Sequence, residues 1–414
     1  MNLLLLTPQL PYPPHQGTSL RNFHIIRGLA DHHAITLLSF LEDNQSADPA
    51  ANAPLYALCQ QIETIPVPRR SKGRRLGQML TTRRPDMEHR LHSPAFAARL
   101  RDLLRREAFD VVQVEGIELA RVMEIARAVS PGSKLVFDDH NAETELQRRN
   151  MQTDLADTRR WPAAAYSWVQ MRRLARFEAW ACRTADAVTA VSDADARHLQ
   201  ALVPQLPLPI TVIPNSIDVA QYQLDPKDAR PFDIVFSGKM DYRPNVDAVL
   251  WFADEVWPQI AAQRPSTTWA IVGQKPHDRL ERLRGLPGVT LTGWVKRVQP
   301  YLAGARVVVM PFRVGSGTRL KLIEAMAAGK PIVSTAVGAE GFPVQHGREI
   351  WLADTAQELG TAVLHLLTHP DECARLGTAA QEFARQYDWR VVVPRFEIVY
   401  ESILNEERGT MKDE

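Results

Sequence analysis

The chain has 414 residues, 45% of them hydrophobic and 23% charged, which is typical of a protein with a large buried core and two or more domains. A formal net charge of +1 excludes the uniform basic excess of a nucleic-acid-binding protein and leaves only local basic patches to consider. The three cysteines, at positions 59, 182 and 373, have neither disulfide-framework nor zinc-site spacing, so we expect a reducing, cytoplasmic environment.

The first half of the chain alternates short apolar or β-branched runs with helical patterns. Its opening segment, MNLLLLTPQLPYPP, lacks a basic n-region, and the apolar run is too short for a signal peptide or a membrane span. A loop that carries Gly17 and an amphipathic segment follow. Because strands that alternate with helices form parallel sheets, this half predicts a parallel α/β domain. The strand candidates are LLLLTP, AITLLSFL, IETIPVP, DVVQVEG, KLVFDDH and ADAVTAVS.

The same alternation begins again after the Pro-punctuated segment VPQLPLPITVIPNSID. We therefore predict two Rossmann-like domains joined near residues 203–218, one over residues 1–208 and one over residues 209–388. The tail, residues 389–414, is predicted to be helical and to return to the N-terminal domain. The strand candidates of the second half are DIVFSG, TWAIVG, VTLTGWV, ARVVVMPF and PIVST, and one helix is predicted from about residue 245.

One loop of the second half, GSGTRLKLIEAMAAGKP, has the pattern of an anion-binding site. It follows a predicted buried strand and opens a helix, whose free N–H groups carry partial positive charge. Gly315 and Gly317 let the backbone approach a bound phosphate, and Arg319 and Lys321 add positive charge where an anion would offset it. An unpaired buried carboxylate at Glu324 would be costly, and the hydroxyls of a ribose would satisfy it.

A structural explanation of this loop is also open. The GSG segment would then be a simple turn, Lys321 would face solvent, and Glu324 would pair with a neighbouring arginine. Glycines before a helix are compatible with either explanation, so the wider pattern of the chain has to decide.

That wider pattern resembles the GT-B glycosyltransferases of family 4, the glycogen-synthase and mannosyltransferase-like group. The resemblance covers most of the chain and is carried by ARVVVMPFRVGSGTRLKLIEAMAAGKPIVSTAVGAEG, TPQLPYPPHQGTSLRN, ADAVTAVSDADA, VIPNSID, FSGKMDYRPNVDAVLWFADEVWP and LTGWV. More narrowly, FDDHNAE together with GKMDYRPNVDAVLWF is similar to sugar transferases found beside PEP-CTERM/exosortase systems in bacterial exopolysaccharide clusters.

The resemblance implies an α/β fold of two Rossmann-like domains that face each other across a cleft. It also implies a nucleotide-diphospho-sugar donor of the UDP or GDP type, a glycan or lipid-linked acceptor, retention of anomeric configuration, and no cofactor or metal. Cations and a helix N-terminus would stabilise the leaving nucleoside diphosphate in place of Mg²⁺. Carried onto this sequence, the implied donor-binding residues are Gly238, Lys239, Arg243, Val295, Gly315, Ser316, Gly317, Thr318, Arg319, Lys321 and Glu324.

The sequence departs from the family pattern at two places in the donor half. Where the family often has the first of two glutamates, this chain has Ser316. After DIVFSG, Lys239 stands where an arginine is expected, and RPN stands where a lysine is expected, with Arg243 nearby. We therefore expect Arg319 and Lys321 to supply much of the positive charge that those positions lack.

On the acceptor side, KLVFDDHNAE places a polar cluster at the end of a predicted strand, where ligands of α/β sheets bind. His140 resembles the histidine that contacts the transferred sugar in the family, and Asp139, Asn141 and Gly17 join it as acceptor-side candidates. A structural histidine and a simple loop glycine are the alternatives. The predicted catalytic residues are thus His140, Lys239, Lys321 and Glu324.

Residues 69–106 are rich in arginine and suggest contact with anionic lipid headgroups, although such charge runs are more often solvated faces. Two other functions also stay open. A GT-B sugar-nucleotide epimerase would share the diphosphate site but would need acid/base carboxylates near the sugar, which Ser316 makes less favourable. A catalytically silent nucleotide-sugar-binding scaffold is the other alternative.

Overall fold

The computed structural model describes residues 1–14, 17–155, 158–206, 208–315 and 317–410. The chain forms two compact units, the first from Met1–Ser216 with Val392–Glu414, and the second from Ile217–Val391. The sequence analysis placed the division at 208/209, but β7 (Thr211–Val212) still pairs with the first sheet. The tail joins the first unit from Val392 rather than 389, because the Trp389 N–H donates to the Ile217 carbonyl of the second unit.

A parallel sheet forms the centre of the first unit. Its order, β3-β2-β1-β4-β5-β6-β7, is the doubly wound Rossmann order extended by one short strand. The central strands are mostly apolar because helices cover both faces; Leu4, Leu5 and Leu6 of β1, for example, are fully buried. The edge strand β3, QIETIP, is half-buried. The strands are β1 Asn2–Thr7, β2 Ala34–Leu41, β3 Gln61–Pro66, β4 Val111–Glu115, β5 Lys134–Asp139, β6 Ala187–Ala190 and β7.

The helices of the first unit include one long insertion. Between β5 and β6 the chain forms a helical hairpin, of which the second arm is 24 residues long. The last helix comes from the C-terminal tail. The helices are α1 Gly17–Leu29, α2 Ala53–Tyr56, α3 Lys72–Thr81, α4 Asp86–Arg90, α5 Pro94–Arg106, α6 Met123–Val129, α7 Glu143–Leu155, α8 Trp161–Thr184, α9 Asp193–Leu202 and, in the tail, Pro394–Thr410.

The second unit repeats the same sheet order, β10-β9-β8-β11-β12-β13, again all parallel. Trp269 of β9 is fully buried and packs against Phe252 and Trp257, which anchors the sheet to the helices beside it. The strands are β8 Phe232–Ser237, β9 Trp269–Val272, β10 Val289–Gly293, β11 Ala305–Met310, β12 Ile332–Ser334 and β13 Trp351–Leu352.

The helices of the second unit complete the fold. Thr355 and Glu358 form a capping box that fixes the start of the helix after β13. The helices are α10 Arg243–Trp251, α11 Trp257–Gln263, α12 Gln299–Gly304, α13 Leu320–Ala327, α14 Ala356–Thr368, α15 Pro370–Ala384 and α16 Trp389–Val392, so that the tail helix is α17. Within the residues that the structure describes, no helix is long and apolar enough to cross a membrane.

Candidate functional site

The donor-side candidates of the second unit follow two neighbouring strands. In the order β10-β9-β8-β11-β12-β13, the strand order reverses between β8 and β11, and ligands of such sheets bind outside the carboxyl ends of the strands at this switch point. Gly238 and Lys239 directly follow β8, and the loop with Gly315 and Gly317 follows β11 and leads into α13. The fold therefore places the two predicted donor loops on adjacent strands, at the same edge of one sheet.

Lys321, on the first turn of α13, reaches across to α10. Its Nζ donates to Asn245 Oδ1 at 2.8 Å, and Asn245 Nδ2 donates to the Lys239 carbonyl, also at 2.8 Å. A side chain at Gly238 would place its Cβ 2.4 Å from Lys321 Nζ and 2.8 Å from Asn245 Nδ2. Gly238 is therefore the residue that leaves room for this lysine. The sequence analysis missed Asn245, although it lies within the RPN segment that departs from the family pattern.

The surroundings of Lys321 oppose its charge. Burial, reinforced by the nearby charge of Arg319, lowers the pKa of Lys321 to about 7, although Glu324 acts in the opposite direction. The ammonium lies 5.0 Å from the ring centre of Phe236 and 5.1 Å from that of Phe312, so two aromatic faces take the place of water. Among the described residues it is hydrogen-bonded to an amide and to no carboxylate. A bound anion would therefore stabilise the charged form of Lys321.

Arg319 is held in place by the protein itself. Its Nη1 donates to the Val337 carbonyl at 2.6 Å, and its guanidinium lies over the ring of Phe312 at 4.7 Å. A Cβ at Gly315, where φ is +124°, would lie 2.7 Å from the Arg319 Nη2. Arg319 therefore contributes a fixed positive charge beside the start of α13.

Glu324 has a protein partner that the sequence analysis did not foresee. The hydroxyl of Tyr222 donates to Glu324 Oε1 at 2.9 Å, so the carboxylate pairs with a phenol rather than with an arginine. Burial raises the pKa of Glu324, and the bond from Tyr222 and the charge of Lys321 only partly offset that effect. One carboxylate oxygen is thus committed to Tyr222, and none of the described residues donates a hydrogen bond to Oε2.

The other donor-side candidates surround this group less tightly. The side chain of Lys239 is 48% exposed and lies 3.7 Å from Asp241, and Arg243 is an exposed residue at the start of α10. Val295 is half-buried beyond β10. Thr318 packs against Gly341, where an added Cβ would lie 2.7 Å from the threonine methyl. Ser316 lies outside the described residues.

In the first unit, His140 lies directly after β5 and contacts two buried carboxylates. Its Nε2 is 2.8 Å from Glu115 Oε2 and 3.5 Å from Asp138 Oδ2. Burial alone would lower the pKa of His140, but the hydrogen bonds and charges of Asp138 and Glu115 raise it to about 9. His140 is therefore an imidazolium at neutral pH. The sequence analysis missed Glu115, a single carboxylate at the end of β4.

Arg21 of α1 neutralises the second carboxylate. Its Nε and Nη2 donate to the two oxygens of Asp138, each at 2.7 Å, and Thr189 donates to Asp138 Oδ1 at 2.5 Å. Burial acts to raise the pKa of Asp138, but the charge and bonds of Arg21 and His140 outweigh it and hold that pKa below its ordinary value. Arg21 lies within the TSLRN motif that carried the resemblance, yet nothing in the sequence showed its partner.

Three of these residues have side chains of the kind that bind metal ions. Within the described part of the chain, Glu115, Asp138 and His140 are the one group of possible ligands whose nearest atoms lie within 4.8 Å of one another. Arg21, however, already occupies both oxygens of Asp138 with its own positive charge. The arrangement is an ion-pair network rather than a set of ligands that awaits a cation.

The remaining acceptor-side candidates differ in their surroundings. Asp139 is almost fully buried, and its Oδ2 has no hydrogen-bond partner among the described residues. Burial, together with the charges of nearby Glu178 and Glu143, raises the pKa of Asp139 well above its ordinary value. The side chain of Asn141 bonds to Glu143. Gly17 is the first residue of α1, four positions before Arg21. His140 and Asp139 are therefore adjacent in sequence but belong to different clusters.

Comparison with known proteins assigns the chain to a class. The family described as "Glycosyltransferase Family 4" matches residues 16–221, and the one described as "Glycosyl transferases group 1" matches residues 231–369. The two matched stretches coincide with the two units of the fold. The chain belongs to the glycosyltransferases of the GT-B fold. Within that class it is of the family 4, group 1 type, as its motifs predicted.

Individual relatives are more distant. A Klebsiella pneumoniae protein described as an uncharacterized 44.6 kDa protein in a cps region is 22% identical over 151 residues, 34% of this chain and 39% of that one. The phosphatidyl-myo-inositol mannosyltransferase of Mycolicibacterium smegmatis is 30% identical over 203 residues, 46% of this chain and 51% of that one. The chain thus spans about half the length of these curated relatives, or less.

A solved structure covers nearly the whole fold. Anabaena HepE, crystallised in complex with UDP and with UDP-glucose, superimposes on 97% of this chain and 100% of its own with a TM-score of 0.66 at 18% identity. At this identity the likeness concerns the fold, and it confirms the predicted pair of Rossmann-like domains.

Proposed function

We propose that the chain transfers a sugar from a nucleotide-diphospho-sugar to a glycan or lipid-linked acceptor, with retention of anomeric configuration. The observation that carries the proposal is Lys321, a half-buried lysine held by Asn245 at the start of α13. It lies at the carboxyl ends of the strands, which is where parallel α/β sheets bind nucleotides. Glu324 is a nearby carboxyl group, but among the described residues none hydrogen-bonds Lys321 through a carboxylate, and a diphosphate would supply that contact. Glu324, through Oε2, would accept a hydrogen bond from the ribose.

The same residues support a reaction without a metal ion. Developing charge on a leaving nucleoside diphosphate needs fixed positive charge, and Lys321, the held guanidinium of Arg319 and the helix N-terminus provide it. Lys239 and Arg243 would add charge from the β8 side. We expect activity to persist in EDTA, and loss of activity that Mg²⁺ or Mn²⁺ restores would contradict this part of the proposal.

His140 is the residue that we assign to the transferred sugar. As an imidazolium beside two carboxylates it is a hydrogen-bond donor rather than a base. Replacing His140 by Ala should lower turnover strongly and leave nucleotide affinity nearly unchanged, because the residue belongs to the first unit and the predicted nucleotide site to the second.

UDP is the first nucleotide to test, since HepE, a protein of similar fold, was crystallised with UDP and UDP-glucose. GDP is the second. For the acceptor, the mannosyltransferase relative acts on a phosphatidyl-inositol by its name, which favours a lipid-linked molecule. The Klebsiella relative from a cps region and the resemblance to exosortase-associated transferases favour bacterial exopolysaccharide synthesis in the cytoplasm.

A lipid-linked acceptor would require contact with a membrane, and the first unit has a surface suited to it. Along α8, the residues at one helical stripe are exposed, with Trp161 at 59%, Trp168 at 44% and Arg172 beside Trp168. The predicted basic stretch, 69–106, also contacts α8, because Arg75 of α3 donates to the Tyr166 hydroxyl at 3.0 Å. Tryptophan and basic residues together favour the interface of an anionic membrane.

Vesicle binding tests this surface with a matched control. The chain should sediment with vesicles of phosphatidylcholine and phosphatidylglycerol, less so at high salt, and poorly with phosphatidylcholine alone. Replacing Trp161 and Trp168 by Ala should abolish sedimentation, whereas Trp294→Ala, which removes a 70% exposed tryptophan of the second unit, should not. Equal binding by all variants would exclude this surface.

A panel of nucleotide sugars separates the functions. A glycosyltransferase releases nucleoside diphosphate, slowly by donor hydrolysis or rapidly with acceptor extract. An epimerase changes the sugar without release, and a scaffold binds the nucleotide sugar unchanged. Absence of release with UDP- and GDP-sugars, in the presence of acceptor extract, would contradict the proposal. Analysis of the anomeric configuration of the product tests retention.

A further inference from the structure

The ring of His140 has two nitrogens with different surroundings. Nε2 faces Glu115 at 2.8 Å and Asp138 at 3.5 Å. Burial and the charge of Asp138 raise the pKa of Glu115 to about 7, which is still below that of His140, so the proton between the two groups lies on Nε2. Nδ1 lies on the side of Gly116, where an added Cβ would be 3.7 Å away. A glycine at that position leaves the backbone beside Nδ1 without a side chain. Among the residues that the structure describes, Nε2 has hydrogen-bond partners and Nδ1 has none.

Glu115 is itself held from the other side. Its Oε1 accepts from Gln113 Nε2 at 2.5 Å, and Gln113 Oε1 accepts from the hydroxyl of Tyr400. All three side chains are buried, with exposures of 0–1%. Gln113 is two residues before Glu115 on β4, whereas Tyr400 comes from α17, at the far end of the chain. A chain of hydrogen bonds thus runs from Tyr400 through Gln113 and Glu115 to His140.

The helix α17 has a second contact with the same network. The guanidinium of Arg21, which holds both oxygens of Asp138, lies 5.5 Å from the ring centre of Phe396, one turn before Tyr400. The charges of Arg21 and an imidazolium at His140 balance those of Asp138 and Glu115. A buried network with balanced charge and satisfied bonds is rigid, and removal of one member leaves the others uncompensated.

We propose that Glu115 is a positioning residue that fixes His140 as a doubly protonated ring, with Nδ1–H offered to an oxygen of the substrate, and that Gln113 and Tyr400 in turn fix Glu115. The inference rests on the proposed function, in which His140 contacts the transferred sugar. A sugar hydroxyl and a phosphate oxygen are both acceptors for this donor. It follows that His140 does not remove a proton during transfer and that α17 is needed for its orientation.

The direct test uses nuclear magnetic resonance of the histidine side chains in the full chain, with assignment from His140→Gln. In the wild type both nitrogens of His140 should be protonated at pH 7. Glu115→Gln removes a charge in hydrogen-bond contact and should lower the measured pKa of His140 by about 1 to 3 pH units. Tyr400→Phe should shift it in the same direction by less. Glu63→Gln, which breaks an ion pair with Arg99 at β3, is the control and should leave it unchanged.

Kinetics supply the second readout. In Glu115→Gln, kcat should fall about 10- to 100-fold with little change in KM for the donor, and the alkaline limit of kcat should move to lower pH together with the pKa of His140. Tyr400→Phe should show the same pattern more weakly, and its effect should not add to that of Glu115→Gln. If Glu115→Gln does not fold, the pKa of His140 and the pH profile of kcat in Tyr400→Phe test the proposal instead.

The outcomes separate this inference from the proposed function. An unchanged pKa of His140 and an unchanged pH profile in folded variants would overturn the positioning role. A singly protonated His140 at pH 7 in the wild type would overturn it as well. If the wild type released no nucleoside diphosphate from any nucleotide sugar, the proposed function would fail, and the nuclear magnetic resonance titration would still measure whether Glu115 controls His140.

Discussion

At the level of single residues, the surroundings of Lys321 disfavour its charged form in the free protein. Its pKa is lowered to about 7 by burial, and a diphosphate beside it would raise that pKa again. Above pH 7 the free protein therefore has to take up a proton as it binds. Affinity for a nucleoside diphosphate should fall by up to about tenfold per pH unit between pH 7.5 and 9, where the phosphate itself is already ionised.

Calorimetric titration in two buffers of different ionisation enthalpy measures this proton uptake directly. Lys321→Met should lose the pH dependence and bind about 10- to 150-fold more weakly at pH 7, since a charge-assisted bond contributes roughly 1.5–3 kcal/mol. The matched control is Lys330→Met. Lys330 is another lysine of the second unit with a pKa lowered by burial, but it donates to the Ala303 carbonyl. Affinity that does not vary with pH in the wild type would refute the prediction.

Glu324 allows a second test at this level. Because Tyr222 donates to Oε1, a ribose would have to bind Oε2. Glu324→Gln would replace one of the two carboxylate oxygens by an NH2 group, which cannot accept a hydrogen bond. Binding of a ribonucleoside diphosphate should weaken, and binding of the 2′-deoxy analogue should weaken much less, because that analogue already lacks one hydroxyl. Equal losses for both ligands would mean that Glu324 serves only to hold Tyr222. Circular dichroism checks that the variant is folded.

At the level of elements, two glycines after neighbouring strands have different tasks. Gly238→Ala would direct a methyl group at Lys321 Nζ, the mobile end of a side chain, whereas Gly273→Ala would place one 1.6 Å from the Gly238 carbonyl oxygen, in rigid backbone. Because φ at Gly238 is +159°, we expect Gly238→Ala to lower the melting temperature moderately and to lose nucleotide affinity. Gly273→Ala should lower the melting temperature strongly. Thermal unfolding and titration of both variants check this, and the reverse order of effects would contradict it.

The strands were the most predictable part of the molecule. The structure has strands at all eleven segments proposed from sequence. Segments such as LLLLTP and ARVVVMPF contain long apolar runs because both faces of a parallel sheet are covered. The two strands β7 and β13 were not predicted. Each has two residues, too few for any periodicity to show, and each is defined only by its neighbour in the sheet.

The parts of the candidate site that depend on local sequence patterns could be predicted. Loops at strand ends pointed to His140 and Lys321, whose positions follow from the order of elements. Their partners did not follow, because the contacts join distant segments: Asn245 with Lys321, and Tyr400 with Gln113, which are 287 positions apart. A single sequence contains no signal for such pairs, and an asparagine in a helix or a tyrosine in a tail is ordinary by itself.

At the level of the whole molecule, the two units have their own sheets and cores, and the first also contains α17. The stability of the first unit is expected to vary with pH because of two buried carboxyl groups, on α7 and α8. Glu178 on α8 accepts from the Thr144 backbone N–H at 3.1 Å and is almost fully buried, with Glu143 and Asp195 nearby. Burial, despite the bonds from Thr144, raises the pKa of Glu178 to about 7; burial and the charge of Glu178 raise that of Glu143 to about 8.

The sign of the effect on stability follows from proton binding. Between about pH 4.5 and 8 the folded state holds protons on Glu178 and Glu143 that the unfolded state has released, so stability falls as pH rises, by up to about 1.4 kcal/mol per pH unit for each group. Glu178→Gln should therefore raise the melting temperature of the first unit at pH 8.5 and change it little at pH 5. Glu145→Gln is the opposite control on α7, because bonds from Arg148 lower the pKa of Glu145 to about 2. Removing that carboxylate should destabilise the protein at pH 8.5, and stabilisation by both substitutions, or by neither, would show that these carboxylates do not set the pH dependence of unfolding.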